Sequence, residues 1–264
     1  MGDLIMNSGK KDGKTGLFTI DELERYSRQI IVPGMGIGKQ EMLRKARVCI
    51  AGAGGLGSVS AYYLAAAGVG RLRIIDRDRV ETSNLNRQIL HFTPDIGQPK
   101  VLSALDKLES LNPYCRVEAV QADINEDTVF ELIDNSDVII DALDNIGTRR
   151  ILNFASLHSR IPLIYGGVEG FSGMASTFVP YQTPCFECIF SHISDDEERK
   201  GVLGMLPALI GAIQSLEALK LIIKEDPALA GTLLYFSGTN MTFQHIALER
   251  NPYCSVCGVP PVNT

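Results

Sequence analysis

The most distinctive pattern of apolar and polar positions lies around residue 50. A short apolar run over 48–51 leads directly into glycines, and an alanine-rich segment over 56–67 follows. A second apolar run, over 72–75, ends at Asp76. A strand, a glycine turn, a helix and a strand in this order predict a βαβ unit.

Further segments with helical or strand-like patterns complete the chain. Helices are predicted over 21–29, 100–111, 149–159 and 209–223, and strands over 117–121, 137–141, 163–165, 174–179 and 233–236. The apolar run at 137–141 is typical of a buried parallel strand, whereas 174–179 alternates like an antiparallel or mixed strand. The fold class predicted is α/β, with a Rossmann-like, mostly parallel sheet that antiparallel or mixed strands extend.

The domain organisation follows from where this patterning starts. Residues 1–20 are polar and are interpreted as a flexible N-terminal extension, and residues 21–264 as a single domain whose first helix is capped by Asp21. The net charge of −6 argues against nucleic acid as the main partner. The longest apolar stretches, such as 202–213, contain glycine and proline and are too short to span a bilayer. With no signal-peptide pattern, a cytoplasmic protein without a membrane partner is expected.

Four of the six cysteines form two CxxC pairs. Cys185 and Cys188 make the first pair, and Cys254 and Cys257 the second. Each pair has the spacing that chelates one side of a tetrahedral Zn²⁺, and four thiolates leave no open position for catalysis. We therefore predict a structural zinc site. A redox-active CxxC is one alternative, and it is disfavoured because two such pairs would be needless. A disulfide framework is the other, and it is disfavoured in a chain without an export signal.

The glycines after the first strand follow the GxGxxG spacing. Gly52, Gly54 and Gly57 occupy its glycine positions and Gly55 lies between them. Such a turn lets backbone N–H groups approach a phosphate at a helix N-terminus, and Asp76 is placed to accept hydrogen bonds from ribose hydroxyls. An NAD-dependent dehydrogenase would carry the same pattern up to Asp76, and a tight turn without a ligand is the structural alternative.

Polar and charged residues beyond Asp76 favour a triphosphate. A polar loop contains Arg87, Lys100 starts a helix, and the strand at 137–141 leads into Asp141 and Asp144. Because ligands of α/β sheets bind at the carboxyl ends of strands, two cations and one or two carboxylates there suit ATP with Mg²⁺. Taken singly, the two cations also fit surface positions, and Asp144 fits a helix N-cap.

These segments together resemble a known family. The motifs RYSRQI, GAGGLGS, IIDRDRVETSNLNRQILH, GQPK and DALDNIGTRRILN, with the paired CxxC, are similar to the HesA/MoeB/ThiF family, the bacterial and archaeal relatives of ubiquitin-activating enzymes. The similarity extends over 25–258. It implies ATP-dependent adenylation of the C-terminal Gly-Gly carboxylate of a ubiquitin-fold sulfur carrier of the ThiS or MoaD type. Pyrophosphate leaves, and a sulfur donor later converts the acyl-adenylate to a thiocarboxylate.

The resemblance also implies roles for individual residues. Gly54 would contact the nucleotide, Asp76 the ribose, and Asp144 the Mg²⁺ ion with Asn145 beside it. Arg28 would reach into the active site of a neighbouring subunit, which implies a homodimer with composite sites. The residues implied around the phosphates are Ser83, Asn84, Leu85, Asn86, Arg87 and Lys100.

Ubiquitin-activating enzymes, and some members of this family, carry a cysteine in the loop before the long apolar helix, and this sequence lacks it. The segment before the last predicted helix contains no cysteine, and Cys49 and Cys115 are interpreted as buried or strand-edge residues. We therefore expect the reaction to stop at the adenylate, and nothing resembling a rhodanese follows residue 258. The run of charged residues at 195–200 is expected to be a solvated face or a segment under which the carrier's tail passes. Of the four histidines, His91 alone is expected near the phosphate loop.

Two other functions stay open at this point. They are an NAD(P)-dependent oxidoreductase and a non-catalytic, zinc-stabilised scaffold with a degenerate nucleotide pocket. The carrier's pathway also stays open, because thiamine or molybdopterin biosynthesis, tRNA thiolation, cysteine biosynthesis and protein modification would use the same residues.

Overall fold

The computed structural model describes residues 14–15, 18–193 and 201–258. The run of charged residues at 195–200 and most of the predicted N-terminal extension lie outside these described residues. The helices are α1 (Ile20–Arg25), α2 (Ser27–Ile30), α3 (Gly36–Lys45), α4 (Gly55–Ala66), α5 (Lys100–Leu111), α6 (Val129–Ile133), α7 (Ile146–Ser159), α8 (Phe186–Phe190) and α9 (Met205–Ile222). The strands are β1 (Lys14–Thr15), β2 (Phe18–Thr19), β3 (Arg47–Ala51), β4 (Arg71–Ile75), β5 (Arg116–Val120), β6 (Val138–Asp141), β7 (Leu163–Glu169), β8 (Ser172–Phe178), β9 (Thr232–Ser237) and β10 (Thr242–Ala247).

Eight strands form one sheet in the order β10-β9-β8-β7-β6-β3-β4-β5. The five strands from β5 to β7 are parallel, while β8, β9 and β10 continue the sheet with antiparallel pairing. Counted along the chain, the parallel strands have the 3-2-1-4-5 order of a doubly wound Rossmann sheet. The fold class predicted from the sequence is confirmed.

Helices cover both faces of the parallel part of the sheet. Successive residues of a strand point to opposite faces, so Val48 and Ile50 of β3 pack with α4, α5 and α9, whereas Cys49 and Ala51 pack with α6, α7 and α8. In the part of the chain that the structure describes, α9 alone is long and apolar enough to cross a membrane. It packs against α4 and β7, as expected of a core helix.

The start of the domain differs from the sequence prediction. The first helix begins at Ile20 and is capped by Thr19, whose side chain accepts a hydrogen bond from the Glu22 N–H in a capping box, so the Asp21 cap was wrong. Phe18 is fully buried with its ring 6.2 Å from that of Tyr26. Phe18, which lies within the predicted N-terminal extension, is therefore packed on the domain.

Two later helices also begin at other residues than the sequence predicted. Helix α7 begins at Ile146, and the side chain of Asn145 caps it by accepting a hydrogen bond from the Thr148 N–H at 2.8 Å. The N-cap alternative for Asp144 is therefore wrong. Helix α9 begins at Met205, with Pro207 in its first turn, where a proline removes no helical hydrogen bond. The elements not predicted are α3, α6, α8, β10 and the short pair β1 and β2.

Candidate functional site

The glycine loop lies where the strand order of the sheet reverses. It follows β3, which has β4 on one side and β6 on the other. The Gly52 N–H donates to the Ile75 carbonyl at 2.8 Å, and the Ala142 N–H donates to the Ala51 carbonyl at 2.9 Å. The loop is thereby fixed between the carboxyl ends of both neighbours, at the crevice where open α/β sheets bind ligands.

The glycines of this loop serve different purposes. Gly52 has a φ of +102°, and a Cβ there would lie 2.6 Å from the Ala142 carbonyl oxygen. A Cβ on Gly57 would overlap the Gly52 carbonyl oxygen, and one on Gly55 would lie 2.9 Å from Pro207. At Gly54 the nearest atom is the Gln88 amide nitrogen at 3.7 Å. Gly54 therefore leaves open space above the loop, while the others permit close packing.

This difference gives a matched pair of variants. Gly54→Ala is expected to melt within about 2 °C of the wild type and to bind ATP about tenfold more weakly, because the new methyl group occupies ligand space without clashing with protein. Gly57→Ala is expected to lose at least about 2 kcal/mol of stability through the backbone clash. Thermal melts and calorimetric ATP titrations would check both. Tight ATP binding by Gly54→Ala would contradict a phosphate position over that residue.

Asp76 connects the second strand to the glycine loop. Its Oδ2 accepts a hydrogen bond from the Ala53 N–H at 2.8 Å, and its Oδ1 accepts one from the Asp78 N–H at 2.7 Å. Burial raises the pKa of this carboxyl, against the Lys100 cation and the two N–H donors. Each carboxylate oxygen keeps capacity to accept another hydrogen bond, so ribose hydroxyls have acceptors here.

The two predicted cations follow Asp76 in the chain, one in the polar loop and one at the start of α5. Lys100 is the first residue of α5 and only 5% exposed, with its Nζ 2.9 Å from Asp78 Oδ2. It is therefore not a solvated helix-face lysine. Arg87 is half-buried and donates through Nη1 to the Ser83 carbonyl at 2.8 Å and to Asn86 Oδ1 at 3.0 Å. Each cation thus has a protein partner in this structure.

The strand end after β6 supplies one accessible carboxylate, not two. Asp141 is fully buried, accepts a hydrogen bond from the Leu143 N–H at 3.1 Å and lies 3.6 Å from Arg149 Nη1. Burial raises its pKa and Arg149 opposes that rise. Of the one or two carboxylates expected at the ligand, Asp141 is therefore excluded. Asp144 is exposed beyond it, in a position open to a metal ion.

The polar loop also holds a residue that the sequence reading did not single out. Gln88 is 5% exposed and its Oε1 makes no hydrogen bond, while its amide nitrogen is the atom nearest to the open side of Gly54. Around it, Asn84 is buried and accepts the Glu81 N–H, Ser83 and Asn86 are exposed, and Leu85 is half-buried. An unpaired buried amide beside open space fits a nucleotide. The burial of Gln88 is what marks it as a site residue, and only the fold reveals that burial.

Arg28 lies apart from the glycine loop of its own chain. It is exposed on α2, and its neighbour Gln29 donates to the Ala67 carbonyl at 3.0 Å, at the C-terminal end of α4. Gly54 precedes the opposite end of this twelve-residue helix, about 18 Å away along its axis. Within one chain, the fold does not bring these two predicted site residues together.

The four cysteines of the CxxC pairs meet in space. Their sulfur atoms all lie within 4.8 Å of one another, at 3.7 Å for Cys185 and Cys254 and 3.3 Å for Cys188 and Cys257. Tetrahedral zinc with Zn–S bonds near 2.3 Å separates its sulfurs by about 3.8 Å. The cluster can hold such an ion, and its four sulfurs would then fill every position of the tetrahedron. It ties residues 254–257 to the start of α8.

The other two cysteines are buried, unreactive thiols. Cys49 and Cys115 are buried, and burial raises the pKa of each thiol to about 12. At neutral pH both are protonated, and a thiol in this form is neither a nucleophile nor a metal ligand. Both observations agree with the sequence expectation for these residues.

A Rossmann strand order, a glycine loop at its reversal and an acidic residue after the second strand define a nucleotide-binding α/β protein. The chain matches the ThiF family over residues 26–256 and belongs to that family, which confirms the resemblance of its motifs. It is 43% identical over 242 residues to the SAMP-activating enzyme E1 of Haloferax volcanii, covering 90% of this chain and 89% of that protein. It is 39% identical over 255 residues to the sulfur carrier protein adenylyltransferase of Thermus thermophilus, covering 92% and 94%. The crystal structure of E. coli MccB with AMPCPP and MccA is 25% identical, with a TM-score of 0.81 over 89% of this chain and 74% of that one.

Proposed function

We propose that this protein is an ATP-dependent adenylyltransferase that activates the C-terminal carboxylate of a ubiquitin-fold sulfur carrier ending in Gly-Gly. The observation that carries the proposal is the pair of cations that follow Asp76, Arg87 in the polar loop and Lys100 at the start of α5. Phosphate chemistry needs such charges, whereas hydride transfer does not. The relatives named as a SAMP-activating enzyme and a sulfur carrier protein adenylyltransferase support the same reaction.

The reaction requires positioning and charge, not a protein nucleophile. A carrier carboxylate oxygen attacks the α-phosphorus of ATP, and the bond from that phosphorus to the α–β bridging oxygen breaks. Pyrophosphate leaves with the bonding electron pair, so negative charge grows on it. Lys100 and Arg87 are placed to stabilise this charge, and the Gly54 end of α4 adds its dipole. Asp144 would hold Mg²⁺, which neutralises phosphate oxygens when bound.

Asp76 and the glycine loop hold the nucleotide in this proposal. The Asp76 carboxylate accepts hydrogen bonds from the ribose hydroxyls, while Gly54 and the Gln88 amide face the phosphates. The Ser83–Asn86 stretch shapes the side of the crevice, with Asn145 next to the metal-binding Asp144. The zinc ion, held by Cys185, Cys188, Cys254 and Cys257, is structural. Because thiolate zinc sites require reduced cysteines, we expect the enzyme to work in the cytoplasm.

ATP–pyrophosphate exchange tests the function directly. Purified protein with labelled pyrophosphate, Mg²⁺ and ATP should exchange label only when a ubiquitin-fold carrier ending in Gly-Gly is present. The matched control is the same carrier without its last two glycines, which should give no exchange. No exchange with carriers encoded near this gene would reject the proposal. Binding of NADH in preference to ATP would support an oxidoreductase instead.

We further propose that the enzyme is a homodimer in which Arg28 completes the partner's site. The position of Arg28, exposed and remote from its own glycine loop, supports action on the partner. Exposed apolar residues beside it, Ile31 at 69% and Val32 at 52%, support a contact with a second chain.

Mixing two inactive variants tests this arrangement. Arg28→Ala and Asp144→Ala are each expected to lower exchange at least tenfold. Co-expressed in equal amounts, they should recover about a quarter of the wild-type rate, because half of the dimers then contain one intact composite site. Sedimentation would verify the dimer. Recovery no greater than the mean of the single variants would show that Arg28 acts within its own chain.

A further inference from the structure

Ala53, in the middle of the glycine loop, is held by side chains on both its polar groups. Its N–H donates to Asp76 Oδ2 at 2.8 Å, and its carbonyl lies 2.9 Å from His91 Nε2. Its own side chain is only 1% exposed. The loop that leads into Gly54 therefore takes its shape from two side chains that follow β4, in addition to its own glycines.

The carbonyl determines which nitrogen of His91 carries a proton. A carbonyl oxygen only accepts, so Nε2 must be protonated and must donate to it. His91 is 3% exposed, and burial together with the Lys100 and Lys107 cations lowers its pKa, against the Ala53 carbonyl and Asp76. At neutral pH the ring is neutral, and its one proton is on Nε2.

A buried network of side chains holds the other side of the ring in place. Nδ1 of His91 lies 2.9 Å from the hydroxyl oxygen of Ser103 on α5. The same hydroxyl accepts from Lys107 Nζ at 3.0 Å. The hydroxyl donates its proton to Asp95 Oδ2 at 2.9 Å, and that oxygen also accepts from Lys107 Nζ at 2.5 Å and from the Phe92 N–H at 2.7 Å. Asp95 and Lys107 thus keep the serine hydroxyl in place, and the serine orients the imidazole.

We propose that His91 is a positioning residue for the nucleotide site, which sets the glycine loop for phosphate by fixing the Ala53 carbonyl. The inference rests on the proposed ATP-binding function. Asp76 is expected to engage the ribose on one side of Ala53, and His91 resists movement of the same residue from the other side. Without the imidazole N–H, the carbonyl is buried without a partner and the loop shifts to find one.

Two substitutions separate this role from simple packing. A glutamine amide nitrogen is as many bonds from Cβ as the imidazole Nε2, so His91→Gln keeps the donor to Ala53. His91→Asn places its amide at the Nδ1 position and loses that donor. We expect the dissociation constant for ATP and the KM for ATP to rise about tenfold in His91→Asn, with kcat changed less than about threefold. His91→Gln should restore both constants to within about threefold of the wild type.

Controls make each outcome decisive. His158→Gln alters an exposed histidine on α7 and should leave both constants unchanged. Ser103→Ala removes only the orienting hydroxyl and should raise both constants about threefold, and it replaces His91→Asn if that variant does not fold. Unchanged ATP binding in His91→Asn, no rescue by glutamine, or a loss in kcat alone would overturn the inference. Calorimetry on the wild type separates this inference from the proposed function. ATP binding without pyrophosphate exchange would contradict adenylation and leave the His91 test intact. No ATP binding would overturn both the proposed function and the role of His91.

Discussion

Replacing Lys100 with methionine is expected to lower carrier-dependent ATP–pyrophosphate exchange by about 10²- to 10³-fold, because the charge that forms on pyrophosphate loses a preorganised cation. The fold should persist. Methionine keeps most of the aliphatic stem of this buried lysine, and the partner left behind, Asp78, has 56% of its side chain exposed and stays hydrated. The measurement is exchange rate at saturating carrier, with a thermal melt to verify folding.

Two controls separate phosphate chemistry from the ion pair seen in the structure. Asp78→Asn removes the ion pair but retains the Lys100 ammonium, so exchange should stay within about threefold of the wild type. Lys39→Met removes a cation whose partner is Glu225, and should have no effect on exchange. If Asp78→Asn were as damaging as Lys100→Met, Lys100 would be a structural residue and its assigned role would be wrong.

Cys254→Ser is expected to reduce bound zinc from one ion per chain to near zero and to destabilise the protein by at least about 4 kcal/mol. Three thiolates and a hydroxyl hold zinc far more weakly than four thiolates, and residues 254–257 then lose their connection to α8. Zinc would be measured by atomic emission after dialysis, and stability by denaturant unfolding.

The matched control for this variant is Cys115→Ala, which removes a buried cysteine outside the cluster. It should keep one zinc ion per chain and cost about 1 kcal/mol through the small cavity it creates. Full zinc content in Cys254→Ser would rule out the four-thiolate site. Zinc loss with unchanged stability would show that the ion does not hold the fold.

The parallel core was predictable because its strands are buried on both faces. Segments such as β3 and β6 are nearly continuous apolar runs, and the glycines after β3 mark the turn into α4. Such signals are local, since they depend on the side chains within a few residues. The βαβ unit and most of the later strands and helices could therefore be located without tertiary information.

The elements that were missed lack this local signal. Helix α3 starts with glycine and buries only Gln40 and Leu43, so it has no apolar stripe to recognise. All six residues of β10 are exposed, so no alternation against a core marks it as a strand. Helix α8 is little more than one turn, and its sequence was interpreted for its cysteines. Each of these elements depends on neighbours that are distant in the sequence.

The sequence by itself determined the family, the glycine loop, the candidate cations and the four cysteines of the CxxC pairs, because motif identity and spacing carry that information. Only the tertiary structure decided that Lys100 pairs with Asp78, that Asp141 is buried against Arg149, and that His91 holds the Ala53 carbonyl. It also brought together cysteine pairs 69 residues apart. These outcomes depend on which charges lose water and which distant elements pack against them, and neither quantity is encoded by any short segment alone.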